Sequence, residues 1–339
     1  MSPITLESIQ ALDKSDLHVH LDGALQRADL IRIAKEHGVV LEDGKLKHYP
    51  DAGPFDADRD FEEFKRFLGC FDLVKAIMQT SEGIYEATES VLRQLGGEGI
   101  GYAELRMAPT YHTKGGLSLE EVVANTLEAM AHMEMEGGPQ SRLVLAIPRE
   151  IAYTGDESGN DYTADDIVAV ARNFIGHGVV GIDLACAEHF DPDPYFAAYQ
   201  STFGIDGFKR YVHAGEAGPK RASNVITAVR DMKADVIGHA LPLGVDPSLD
   251  FLFDELRERR VRIERCPLSN KAMSVSDGNL DGLERLLNEG LDVAICSDDP
   301  GIFGVETNLN HNLFYVAQKL NLKRWELEDL VNGVRRGSF

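Results

Sequence analysis

Eight short apolar runs recur along this chain, each separated from the next by a helix-like stretch. They are Asp16–Leu21, Gly101–Met107, Arg142–Ile147, Val179–Ala185, Lys209–His213, Asp235–His239, Arg260–Arg265 and Leu291–Cys296. Strands joined through helices return to the same edge and pair in parallel, with the helices outside. Eight such units predict an α/β fold, a closed (β/α)8 (TIM) barrel, as a single domain over residues 1–339. Between the runs, Leu119–Glu136, Ala164–Ile175, Asn224–Met232, Pro247–Glu258 and Leu280–Asn288 carry helical patterns. Ser118 and Glu121 have the spacing of a capping box.

The first crossover is irregular. Residues 22 to 100 leave room for extra helices and a lid beyond the usual single helix. Within it, Asp60–Val74 places Phe61, Phe64, Phe67, Leu68 and Phe71 at spacings of three and four. An amphipathic helix packed on the barrel accounts for that spacing. An apolar cover over a pocket is the second reading.

In a barrel of this kind, chemistry sits at the C-terminal strand ends. The polar residues fall there. Strand one carries His18 and His20, whose spacing turns both imidazoles to one side. A hydrogen-bonded pair explains a lone H-x-H equally well, but here a further carboxylate, Asp22, follows in HVHLDG. Strand five ends in His213, then Gly215 and Glu216. Strand six ends in His239. Strand eight runs into Asp298 and Asp299, adjacent carboxylates that persist in a buried place only if a cation or proton donors compensate them. Three histidines and one aspartate with room for water make a catalytic metal arrangement rather than a closed structural one. Zinc there lowers the pKa of water to about 7. His239 then accepts a proton or orients the water, and Glu216 acts as a general acid. The residues alone lead to metal-assisted hydrolysis, with the substrate open.

Charge narrows the partners. Lys and Arg total 34 against 56 Asp and Glu, a formal net charge of −22. Nucleic acid and anionic membrane surfaces repel such a chain. No run is long and apolar enough for a membrane span. Met1 to Leu12 lacks the basic and apolar regions of a signal peptide. Four scattered cysteines form no C-x-x-C pair. A cytoplasmic setting and a small-molecule ligand are therefore expected. Nothing in the sequence speaks to oligomeric state.

In order, HVHLDG, YAELRMAP, GIDLA, VHAGE, IGHA, CPLSN and SDDP resemble the adenosine deaminase family from about Asp16 onward. The resemblance implies a (β/α)8 barrel with one zinc per chain that hydrolyses the 6-amino group of adenosine to inosine and ammonia. Carried over by motif, His18, His20, His213 and Asp298 match the zinc ligands. Glu216 matches the residue that protonates purine N1, and His239 the histidine that orients and helps deprotonate the attacking water. Asp299 matches the carboxyl group at N7. Asp22 matches the residue that reads the ribose 5′-hydroxyl, where related adenine deaminases tend to carry Glu. The run Phe67–Asp72 resembles the family's lid helix, so Phe64, Phe67, Leu68 and Phe71 are expected to touch the nucleoside, and His20 is expected to touch the substrate as well as the metal. The implied ligand is an adenine nucleoside.

Two departures stand out. The family reads LAGDE where this chain has Leu184-Ala185-Cys186-Ala187-Glu188, so Cys186 replaces a glycine whose N–H faces purine N3. Ala240 replaces a glycine after His239. Both add a side chain near the expected pocket. Deamination of a modified adenine nucleoside or of free adenine is the alternative within the enzyme class. A non-catalytic nucleoside-binding relative is a third reading, which the intact residue set disfavours. The H-x-E with P-C-x-x-C signature of other zinc deaminases is absent.

Overall fold

Eight parallel strands hydrogen-bond in sequence order in the computed structural model, which describes residues 3–40, 55–57 and 61–336. They are β1 Lys14–His20, β2 Ile100–Met107, β3 Gln140–Pro148, β4 Val179–Ala185, β5 Lys209–Ala214, β6 Val236–His239, β7 Arg262–Arg265 and β8 Asp292–Ile295. The ring closes where Val19 bridges Asp298. There His20 donates its backbone N–H to the Asp298 carbonyl at 3.0 Å, and Asp298 donates to the His18 carbonyl at 2.8 Å. The (β/α)8 barrel expected from the alternation is the architecture.

Each strand sends at least one branched or long apolar side chain outward to the helices. Val19, Leu105, Ile147, Ile182, Val212, Ile237, Ile263 and Ile295 all belong to the large core between barrel and helices. Separate small clusters fill the barrel itself. One joins Leu17, Tyr102, Cys266, Ala294 and Cys296, another Val144, Val180, Tyr211 and Val236. This is the period-two division of a strand between two apolar environments. All four cysteines are free thiols. No helix among the described residues is long and apolar enough to cross a membrane.

Local differences from the sequence expectations have physical reasons. Leu21 leaves the strand and opens a short helix, Leu21–Ala24, that carries the chain off the rim. The helix expected from Asn224 begins at Arg221, because its first turn carries no apolar stripe. Pro247–Glu258 starts as a 3-10 turn, Pro247–Leu252, and becomes α-helical only at Phe253. Asp281, at φ 45°, divides Leu280–Asn288 in the same way. The Ser118–Glu121 capping box forms as expected.

The long first crossover supplies the cover. Within the run expected to start at Asp60 (itself outside the described residues), a helix spans Phe61–Leu68, a 3-10 turn Gly69–Phe71, and a second helix Asp72–Ile77. It is pinned from three sides of the rim. Phe67 stacks on Phe303 after β8 with centroids 5.5 Å apart, and Phe61 meets Phe190 after β4 at 4.9 Å. Lys75 reaches Glu157, in the loop after β3, at 3.2 Å.

Candidate active site

Strand β1 does not alternate regularly. Between Asp16 and Val19 it carries one more residue than β2 opposite. A bulge re-aims side chains, and here it lets Leu17 fill the barrel while His18 and His20 both turn toward His213. Gly238 on β6 makes the room, since a Cβ there would stand 2.9 Å from the His18 ring.

The nitrogens and carboxylate expected to hold the metal come together. His18 Nε2 lies 3.1 Å from His213 Nε2, and His20 Nε2 lies 3.3 Å from it. Asp298 Oδ1 is 3.3 Å from His18 Nε2 and 3.4 Å from His20 Nε2. A tetrahedral zinc with bonds of about 2.0–2.1 Å sets its ligand atoms about 3.3–3.4 Å apart. The four donors therefore have the spacing and the chemistry of a zinc site. His20 is in addition one of the residues that border the cavity.

The remaining atoms of these four side chains are held by neighbouring groups. His213 Nδ1 pairs with Asp183 at 3.0 Å, His18 Nδ1 lies 3.2 Å from Glu264, and Asp298 Oδ2 accepts from Ser269 Oγ at 2.7 Å. Such contacts fix ring orientation and tautomer. Arg106, fully buried in the barrel, ties the two carboxylates together by donating to Asp183 at 2.9 Å and to Glu264. Its Nη1 also approaches His18 Nε2 at 3.0 Å. Burial pushes the Asp183 carboxyl up, but His213 and Arg106 outweigh it and hold the pKa far below the ordinary range. Glu104, also buried in the barrel, sits elsewhere and accepts from the Tyr102 and Tyr211 hydroxyls.

Glu216 and His239 face each other, with Nε2 to Oε1 at 3.6 Å. Asn270 Nδ2 lies 3.0 Å from His239 Nδ1 and 3.5 Å from Glu216 Oε1, linking them. Burial, with Asp298 and Glu188 nearby, pushes the Glu216 carboxyl well above its usual pKa. Burial pushes His239 well below its ordinary value, so its ring is neutral. Two facing buried groups whose pKa values are pushed in opposite directions suit acid and base roles. Glu188 holds the turn that aims Glu216, accepting the backbone N–H groups of Gly215 at 2.7 Å and Glu216 at 2.6 Å. Asp299 stands opposite. Burial and the neighbouring carboxylates Asp298, Asp22 and Glu216 raise its pKa well above normal, and its Oδ1 has no protein partner. Gly23 makes its place, because a Cβ there would collide with Asp299 Oδ1.

One cavity collects these groups. Asp22, Glu216, His239, Asp298 and Asp299 border it on one side, and Phe64, Phe67, Leu68 and Phe71 of the lid on the other. Its atom-free space is about 660 Å³ with the open mouth included. Cys186 borders it, whereas Ala240 is buried and does not. The second departure from the motif is therefore absorbed by packing. Sequence reasoning missed Lys75, Tyr111 and Glu157 in the wall, and Glu264, Glu188 and Asn270 behind it. Asn270 was within reach as the last residue of CPLSN, and Tyr111 and Glu157 carry no such signal.

Four residues near this rim take left-handed backbone without being glycine: Cys186 at φ 69°, His239 at 65°, Ala240 at 48° and Asp298 at 73°. Backbone strain of this kind gathers at functional sites. At such a φ glycine costs less than alanine. We expect Cys186→Gly to be more stable than Cys186→Ala by about 1 kcal/mol, read from urea unfolding midpoints. Equal midpoints would show that the left-handed backbone is not a property of this position in solution.

The chain is similar to known proteins over nearly its whole length. A family profile described as adenosine deaminase matches residues 13–339. The chain is 28% identical to an adenosine deaminase of Clostridium kluyveri, over 98% of this chain and 90% of that protein. It is 30% identical to an adenine deaminase of Rhodopseudomonas palustris, over 98% and 92%. Among solved structures, the crystal structure of adenine deaminase from Arthrobacter aurescens superposes with a TM-score of 0.78 at 26% identity, covering 97% of this chain and 94% of that one.

Proposed function

The chain belongs to the adenosine deaminase family, and from that premise we propose that it deaminates adenosine and 2′-deoxyadenosine to inosine and 2′-deoxyinosine, with one zinc held by His18, His20, His213 and Asp298. The observation that carries this reading is Glu216 facing His239 at 3.6 Å in one cavity, beside four converging metal donors.

Zinc bound there supplies a Lewis acid that brings the pKa of a coordinated water to about 7. The chain's own residues do the rest. His239 orients the attacking water toward purine C6 and takes its proton. Glu216 gives its proton to N1, so the charge that develops on the ring is neutralised as the C–O bond forms. The protonated Asp299 carboxyl donates to N7 and fixes the ring plane. The lid aromatics Phe64, Phe67, Leu68 and Phe71 exclude bulk water. In the balance, the oxygen of water ends on C6 and its two hydrogens on N1 and the departing ammonia.

Asp22 supports a nucleoside over the free base, since a buried carboxylate at the cavity wall is matched by a ligand hydroxyl. Lys75 is the one Lys or Arg among the described residues that border the cavity, and Asp72 at 3.3 Å and Glu157 at 3.2 Å neutralise it. A 5′-phosphate would thus meet carboxylates rather than free cations. Free adenine is the second reading, favoured by the adenine deaminases among the relatives. The test is ammonia release from adenosine, 2′-deoxyadenosine, 5′-deoxyadenosine, adenine and AMP. We expect kcat/KM for adenosine to exceed that for 5′-deoxyadenosine by about 10- to 100-fold, the effect of one hydrogen bond to a charged group, with adenine and AMP poorer still. Adenine as the best substrate would overturn the nucleoside reading.

A further inference from the structure

Directly behind Asp22 stands an imidazole that no step above uses. His112 ends the 3-10 turn Pro109–His112 that leaves β2, and it is fully buried. Neither of its ring nitrogens has a hydrogen-bond partner. Buried polar groups are almost always paired, and a neutral imidazole left unpaired costs folding free energy. Its Nε2 lies 3.9 Å from Asp22 Oδ2, and His112 itself does not border the cavity. Asp22 therefore lies between this ring and whatever the cavity binds.

We propose that His112 is a positioning residue for Asp22, holding one oxygen of the carboxylate so that the other faces the ligand hydroxyl. The inference rests on the reading that Asp22 recognises the 5′-hydroxyl of a nucleoside. Burial, with Lys75 nearby, holds the His112 pKa at about 3, so the ring is neutral and offers one N–H and one lone pair. A hydroxyl that donates to one oxygen of Asp22 leaves Oδ2 for the His112 N–H, and a contact outside hydrogen-bond range closes as the carboxylate settles. A charged histidine would instead pair with Asp22 as an ion pair and compete with the hydroxyl for it. His112 would thus discriminate nucleosides from bases without touching either.

The test is a substrate comparison across variants of the intact enzyme. His112→Phe and His112→Leu each remove the donor at Asp22, one with an apolar ring and one with a branched aliphatic chain, so whichever folds by thermal melting carries the experiment. We expect kcat/KM for adenosine to fall about 10-fold or more, as for loss of a hydrogen bond to a charged group, mainly through KM. For 5′-deoxyadenosine, which lacks the hydroxyl, the fall is expected to stay under about threefold. His112→Gln, which keeps a donor of similar reach, should recover part of the loss. Equal losses on both substrates would mean that His112 is structural and overturn the proposal. Asp22→Ala separates the two layers. If it also penalises both substrates equally, the reading of Asp22 fails and this inference with it. If it penalises adenosine alone while the His112 variants do not, only the role of His112 fails.

Discussion

Glu216→Gln is expected to lower kcat for adenosine about 10²- to 10⁴-fold, the usual range for a positioned proton donor, while KM stays within about threefold. Glutamine keeps the shape and the hydrogen-bonding ends of the side chain. What it lacks is a proton that can leave. The surroundings of Glu216 favour its protonated form. Glu216 is buried, Asp298 and Glu188 lie close by, and together these push its pKa well above the usual carboxylate range. The sign follows. The acid form works, so activity falls as pH rises through the elevated pKa of Glu216. His239 works neutral, and burial holds its pKa well below the ordinary histidine value, so activity falls on the acid side as pH drops through that lower value. The native profile of kcat/KM is therefore a broad bell with its alkaline limb set by Glu216. That limb should disappear from the residual activity of the glutamine variant. Near-native turnover, or an unchanged alkaline limb, would remove Glu216 from the role of acid.

His213→Ala is expected to have a comparable effect by a different route, abolishing stoichiometric zinc and cutting activity at least about 10³-fold, since it removes one of three protein nitrogens from the site. The loss extends beyond one ligand. The Asp183 carboxylate hydrogen-bonds His213 and Arg106, and without the imidazole it keeps only the guanidinium. Zinc analysis and turnover on the same sample check this. Retained zinc at one per chain would place His213 outside the ligand set.

Much of this was legible in the sequence because it depends on period and position. Eight apolar runs between helical patterns led to the barrel, and the barrel placed His18, His20, His213, Asp298 and Asp299 on one rim. The aromatic spacing of Phe61–Phe71 admitted two readings, and the structure satisfies both, since the helix packs on the rim and also borders the cavity. What stayed hidden depends on three-dimensional juxtaposition. Glu264 looks like one charged residue in RIER, and only β7 beside β6 brings it under His18. Glu157 lies in a polar loop whose composition says nothing of Lys75 across the mouth. The bulge in β1 is invisible to a period-two pattern, because one extra residue leaves His18 and His20 on the expected side while adding Leu17 to the interior. Cys186 and Ala240 looked alike as replaced glycines. Only their places distinguish them, one at the cavity and one under it.

The central claim is that metal and deamination belong to one site. The most direct measurement follows zinc content and ammonia release from adenosine together, in protein as purified, after chelation and after reloading with zinc. We expect one zinc per chain, loss of zinc and activity in parallel on chelation, and recovery of both on reloading. Metal-free protein that deaminates adenosine at an undiminished rate would contradict the claim.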